Sequence, residues 1–284
     1  MKAPRFPSIG LYEKALPSDL PLKDKIEQIK MAGFDFLELS IDESSEFLKR
    51  LDWDNQQRRK LRHFSRSADL PIFSLCLSGQ RRFPLGSADP AIRKKSREIL
   101  EKSIRLASDL DVRVVLISGY WVYHEAVNPR SEDFFIEGMA LGARLAARCG
   151  VMLGIENIDS DSQINSIRRV VKVIQTIDSP WLKIYADFAN LAAFGMDVSS
   201  ELSAGKGQIV AVHVKDAIRN EVRGISLGGG IVDFPAAFSQ LAANHYSGPF
   251  LLEMWDQPGQ DALANARDAL RFTRKMLKAS AYFH

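Results

Sequence analysis

VMLGIENIDSDSQINSIRRVVKVIQTIDSPWLKIYAD (151–187) carries, in one stretch, the pattern that decides the fold. It opens on one short apolar run, VMLGIE (151–156), and closes on another, LKIYAD (182–187). Between them Ile164, Ile167, Val171 and Ile174 recur at helical spacing, so the stretch reads as strand, helix, strand. A connection of that length joins parallel strands, because a hairpin needs only a few residues.

The same unit recurs along the chain. Apolar, β-branched runs at 9–12, 36–40, 72–78, 112–118, 151–156, 182–187, 209–214 and 250–254 are eight candidate strands. Helical patterns fill the gaps, such as Leu22, Ile26 and Ile29, then Phe135, Met139 and Leu145, then Leu263, Ala266 and Leu270. Only 198–207 is poor in such a pattern. Gly33 and Gly150 fall where a helix ends before the next strand, a common left-handed cap position. Eight units of about 35 residues predict an α/β chain closed as a (β/α)8 barrel, one domain over 1–284. A doubly wound sheet would carry GxGxxG after its first strand, and none is there. The run Gly228, Gly229, Gly230 comes after the seventh strand and reads as a flexible or close-approach loop.

Composition narrows the function. The chain is 46% hydrophobic and 26% charged with 18 Gly and 12 Pro, as expected of a folded chain with a sizeable core. A net charge of +3 is far below what a dedicated nucleic-acid binder concentrates, so no nucleic-acid partner is expected. The clusters Arg58, Arg59, Lys60 and Arg93, Lys94, Lys95 sit in helical patterns and read as solvated faces. Cys76 and Cys149 lie in or beside apolar runs without a second cysteine nearby, and read as buried free thiols. MKAPRF (1–6) lacks the apolar stretch of a secretory leader, and no uncharged run reaches the ~20 residues of a membrane span, so a cytoplasmic protein without membrane contact is expected.

The chemistry gathers at strand ends. Strand five ends at Glu156 and strand six at Asp187; His213 lies near the end of strand seven and Glu253 near that of strand eight. In a parallel barrel these ends form one face, the face that carries active sites. Each residue alone reads equally well as a surface group or a helix cap. Together, three carboxylates and an imidazole would repel one another unless a cation neutralised them, and the oxygen-rich set suits one divalent ion: Zn²⁺, Mn²⁺, Mg²⁺ or Co²⁺. The pleat turns Gly154, Tyr185, Ala211 and Leu251 inward below them, and the small Gly154 and Ala211 are expected to leave room for a ligand. Arg81 and Arg82 after strand three and Lys215 after strand seven are candidate phosphate anchors. Tyr12, Glu13, Lys14, Glu38, Ser78, Tyr120, Tyr123 and Asn190 are candidates to line the mouth and orient sugar hydroxyls, with His124 at the rim.

GLYEKALP (10–17), AGFDFLELSIDE (32–43), RLDW (50–53), RRFPLGS (81–87), HVKD (213–216), GIVDF (230–234) and LLEMW (251–255) carry a resemblance that spans the chain. It resembles the sugar-phosphate epimerases of the xylose-isomerase-like barrel superfamily, and among them the L-ribulose-5-phosphate (L-xylulose-5-phosphate) 3-epimerases, also described as hexulose-6-phosphate isomerase-like. The resemblance implies that Glu156, Asp187, His213 and Glu253 bind one divalent metal and that Glu156 and Glu253 are the acid/base pair. The implied reaction interconverts L-xylulose 5-phosphate and L-ribulose 5-phosphate through a metal-stabilised enediolate, in pentose and L-ascorbate catabolism. A homodimer is implied by resemblance alone. The sequence departs from the family pattern at Gln80, at Gly229 and over 157–161.

Three rivals share the scaffold. A ketose–aldose isomerase would use the same site on carbons 1 and 2. A metal-dependent phosphodiesterase or endonuclease with three zinc ions needs several histidines, and of the five here one is well placed. A non-catalytic sugar-phosphate binding protein is the third, since fold alone does not fix function.

Overall fold

The computed structural model describes residues 7–283, which build eight parallel strands into a closed barrel in which β1 pairs with both β2 and β8. The strands are β1 Ile9–Tyr12, β2 Phe36–Ile41, β3 Ile72–Leu77, β4 Val114–Ser118, β5 Met152–Glu156, β6 Leu182–Asp187, β7 Ile209–Val214 and β8 Phe250–Leu252. Each lies within a residue or two of the run read from sequence. Residues 1–6, on which the reading of a missing leader rests, lie outside the described residues.

Helices such as Pro90–Asp109, Ser131–Cys149 and Ala262–Ala279 lie between the strands. Segment 198–207, expected to be patternless, contains the helix Val198–Ala204. It makes fewer than two turns, too few to display a period. It is held instead by its ends: Asp197 accepts from Ser200 N at 3.1 Å, and the buried Glu201 takes Arg168 Nε at 3.0 Å. Gly150 closes the helix Ser131–Cys149 at φ 67°, and Gly33 has φ 91°, both in the left-handed region proposed for them. Cys76 is buried as expected, whereas Cys149 is half-buried. No helix among the described residues is long and apolar enough to cross a membrane.

Alternation along the strands divides the core into two shells. Outward residues such as Leu37, Leu75, Val115 and Leu153 pack under the helices. Inward, Tyr12, Phe36, Cys76, Val114, Leu116, Tyr185, Ala211 and Leu251 fill the barrel below its C-terminal mouth. A Cβ on Gly10 would stand 2.1 Å from the Phe36 ring, so the glycine is where that ring fits. Gly154 plays the same part for Tyr185: a Cβ there would meet Tyr185 side-chain atoms at 3.2 Å. The expectation that Gly154 leaves space for a ligand is therefore corrected. The space is taken by a tyrosine of the next strand, and the plug it completes is the floor of the site.

Candidate active site

At the C-terminal ends of β5 to β8, Glu156, Asp187, His213 and Glu253 each bring one donor atom within 4.8 Å of all the others. Glu156 and Asp187 are the last residues of their strands; His213 pairs in register with Asp187; Glu253 stands one residue beyond β8. His213 Nδ1 is at the centre, 2.7 Å from Glu156 Oε1, 3.6 Å from Glu253 Oε2 and 3.9 Å from Asp187 Oδ2.

Each side chain is fixed from behind. Asp187 caps the short helix Phe188–Ala193, its Oδ1 accepting from Asn190 N at 2.9 Å. This leaves Oδ2 buried with no directed hydrogen bond, although Lys215 Nζ lies 2.9 Å away. Asn157 clamps the same strand end twice, its Oδ1 accepting from Asp187 N and its Nδ2 donating to Asp187 O, both at 2.9 Å. His213 Nε2 faces Glu38 Oε1 at 3.0 Å. Glu38 is fully buried in β2, and its other oxygen accepts from Ser74 Oγ at 2.5 Å and Tyr185 Oη at 2.9 Å. Glu38 therefore lies beneath His213, not at the mouth as expected. The available signal was a lone charge at an inward position of a strand whose other residues, Ser40 apart, are apolar.

Burial and neighbours drive the two glutamates apart. Burial raises Glu156, and although His213 opposes this, Glu253 and Asp187 help to leave it at about 7. Burial would raise Glu253 too, but Lys215 and His213 bring it down to about 2. Asp187 is also raised, by burial. Burial alone would lower His213, and the surrounding Glu253, Glu38 and Glu156 carry it well above its ordinary value. The donor set fits a divalent cation: three carboxylates and one imidazole nitrogen converge, and Asp187 Oδ2 points into the group without a directed partner.

A cavity of about 150 Å³ opens above the cluster, lined among others by Tyr12, Ser78, Arg81, Glu156, Glu253 and Trp255. A cleft of about 380 Å³ adjoins it and shares Glu253 and Trp255. Tyr12 bonds Ser40 Oγ at 3.0 Å, Tyr120 donates to Asp159, and His124 at the rim meets Glu43 at 2.9 Å.

Three of the residues expected to touch substrate, Glu13, Arg82 and Asn190, are placed elsewhere, and a fourth, Lys215, lines the adjoining cleft but is drawn to the site carboxylates. Glu13 is consumed by Arg50, whose two terminal nitrogens reach its oxygens at 2.6 and 2.8 Å, and by Ser40 N at 2.7 Å. Arg82 is exposed and lies over the Phe83 ring, outside the cavity. Lys215, expected as a phosphate anchor, is buried between Asp187 and Glu253, at 2.9 and 2.7 Å. Asn190 directs its amide to Asn157 O at 2.8 Å, supporting Asp187 and not facing the cavity. Among the lining residues not singled out as site residues are Trp255, inside the quoted LLEMW, Asp42 and Glu43, inside AGFDFLELSIDE, Ser118 at the end of β4, and Arg223 on the loop after β7.

The family model of the xylose isomerase-like TIM barrel matches residues 26–276. L-ribulose-5-phosphate 3-epimerases of Escherichia coli O8 (strain IAI1) and Shigella boydii serotype 18 are each 39% identical to this chain over 272 residues, covering 95% of both chains. Among solved structures, the D-psicose 3-epimerase of Clostridium cellulolyticum H10 with D-tagatose superposes with a TM-score of 0.81 at 18% identity, covering 95% of this chain and 99% of that one. An L-ribulose 3-epimerase gives 0.79 at 21% identity over 96% and 95%.

Proposed function

Given that the chain belongs to the xylose isomerase-like TIM barrel family, we propose that it is an isomerase acting as a sugar-phosphate 3-epimerase, with a ketopentose 5-phosphate as substrate. The observation that carries this reading is the pair Glu156 and Glu253, held at one cavity beside His213 with opposite proton affinities. The 39% identity to L-ribulose-5-phosphate 3-epimerases supports the choice of L-ribulose 5-phosphate and L-xylulose 5-phosphate.

Inverting carbon 3 of a 2-ketose requires a proton to leave one face and another to arrive on the opposite face. A divalent cation held by Glu156, Asp187, His213 and Glu253 would supply a Lewis acid against the charge that develops on the substrate oxygens. The rest falls to the chain. Glu253, kept ionised by Lys215 at 2.7 Å, accepts the carbon 3 proton. Glu156, the other carboxylate of the pair, carries a proton taken from solvent to the other face of the enediolate. In reverse the roles exchange. Lys215 and His213 hold the carboxylates without competing as proton acceptors, and Tyr12 and Ser78 line the wall where the sugar hydroxyls lie.

Proton NMR in deuterated water tests this reading. With metal-loaded protein, deuterium enters carbon 3 of L-ribulose 5-phosphate as L-xylulose 5-phosphate appears. Exchange confined to carbon 1 identifies a ketose–aldose isomerase instead, and no exchange refutes both.

A further inference from the structure

The cleft of about 380 Å³ beside the site lies between Glu253, Met254, Trp255 and the helix Ala262–Ala279 on one side and the segment 222–227 on the other. That segment belongs to the connection 215–233 between β7 and the helix Phe234–Ala243, far longer than the roughly 2–6 residues usual between a strand and its helix. Burial does little to order it. Beyond Lys215 and Asp216, its buried residues are Ala217 and Val222, which pack on Ala189 and Ala193. The entropy lost by so exposed a stretch has to be offset by something else.

Asp216 supplies it. This carboxylate is 2% exposed and takes part in no ion pair among the described residues. Its hydrogen bonds all come from main-chain N–H groups of this one connection. Oδ1 accepts from Ala217 N at 2.9 Å and Val232 N at 3.2 Å, and Oδ2 from Gly228 N at 2.8 Å and Gly230 N at 3.0 Å. Bonds to an ionised carboxylate are about twice as strong as neutral ones. Ile231 N, donating to Ala217 O at 2.8 Å, closes the neck, so 217–232 is an Ω-loop tied at its base.

Two of the donors are glycines for a steric reason. A Cβ on Gly230 would stand 2.2 Å from Ala217 O and 2.3 Å from Asp216 Oδ1; one on Gly228, at φ 88°, would stand 2.6 Å from the Phe272 ring. The glycine run is therefore a close-approach loop, folded around a carboxylate. Lys215, one residue earlier, points the other way, to Asp187 and Glu253. Consecutive residues thus hold the site carboxylates and the loop that faces them. The loop also brings Arg223 to the cavity wall, 5.1 Å over the Trp255 ring that cavity and cleft share.

We infer that Asp216 is a positioning residue, which holds loop 217–232 as a standing wall so that the cleft beside Glu253 is formed before substrate arrives. The inference rests on the epimerase reading for its substrate, but the staple itself is tested apart from turnover. Once the loop is released, substrate has to order it on binding, and apparent affinity falls by the fraction of molecules in which the wall is formed.

Two variants attack the staple from opposite sides. Asp216→Asn keeps one acceptor oxygen and turns an NH₂ toward the other two amides; Gly230→Ala keeps the carboxylate and sets a methyl against it. Each is expected to raise KM for L-ribulose 5-phosphate by about 10–100-fold while kcat changes far less, because a wall formed in about 1–10% of molecules weakens binding by that factor. Mn²⁺ affinity should stay unchanged. Hydrogen exchange over 217–232, read by mass spectrometry, should be slow in wild type and faster by about tenfold or more in each variant. This measurement decides the staple even if no epimerase activity is found, in which case only the reaction fails. Fast exchange in wild type, or exchange and KM unchanged in both variants, overturns the inference. So does a loss of kcat and Mn²⁺ affinity with KM unchanged, which would place Asp216 in the service of Lys215 and not of the loop.

Discussion

Adding Mn²⁺ to protein stripped of metal should drive protons out of the site, and the count follows from the geometry. Glu156 has a value of about 7, so it is about nine-tenths protonated at pH 6 and about one-tenth at pH 8. His213, raised well above 6.5 by Glu253, Glu38 and Glu156, is also protonated at pH 6. A metal ligand must be an ionised carboxylate or a neutral imidazole nitrogen, so both protons have to leave. Close to two are expected at pH 6, and about one fewer at pH 8. Affinity should rise with pH by up to about tenfold per unit for each proton released.

The same shifts set the stability of the stripped protein. The folded value of Glu156 lies above the ordinary glutamate value of 4.5, so its contribution is fully present below pH 4.5 and is lost as pH rises through about 7. For His213 the contribution is present below 6.5 and is lost when its higher folded value is passed. Stripped protein should therefore weaken above neutrality, and metal should restore it. Isothermal titration at pH 6 in two buffers of different ionisation enthalpy counts the protons, and Glu156→Gln should remove about one of them at pH 6 and almost none at pH 8. Equal heats in both buffers at pH 6 would refute this account of the site.

Two further changes test the scaffold. Glu38→Ala should weaken Mn²⁺ binding by about 10–100-fold by releasing Nε2 of His213, while Glu38→Gln, which still offers a carbonyl oxygen, should recover part of it; equal losses in the two variants would reduce Glu38 to packing. Gly10→Ala should lower the melting temperature by several degrees, because its Cβ must displace the Phe36 ring from 2.1 Å at a cost of about 1–3 kcal/mol; an unchanged melting temperature would mean that the barrel floor repacks freely.

Most of the fold was legible because its signals are local. Each β/α unit carries its own period, and the eight runs emerge as strands in the order in which they were read. The pairing within the site was less legible because it acts across the barrel. Glu38 and His213 are 175 residues apart, and nothing local says that one lies beneath the other. Lys215 shows why charge alone misleads: its place after β7 is compatible with a phosphate anchor, but the strand ends on either side present Asp187 and Glu253 to it first.

The pattern of agreement has a single geometric cause. On a strand the pleat fixes the direction of every side chain once one is known, so Glu156, Asp187 and His213 had to point into the barrel if any of them did. Past the strand end that rule stops. Glu13 opens a 3₁₀ turn, Glu13–Ala15, and its carboxylate swings to Arg50 instead of the cavity. Arg81 closes another, Gly79–Arg81, and Arg82 follows it: one faces the cavity and the next faces solvent. A 3₁₀ turn rotates successive residues by a third of a circle, so neighbours in sequence cannot share a target. Of RR at 81–82, only Arg81 therefore reaches the cavity wall.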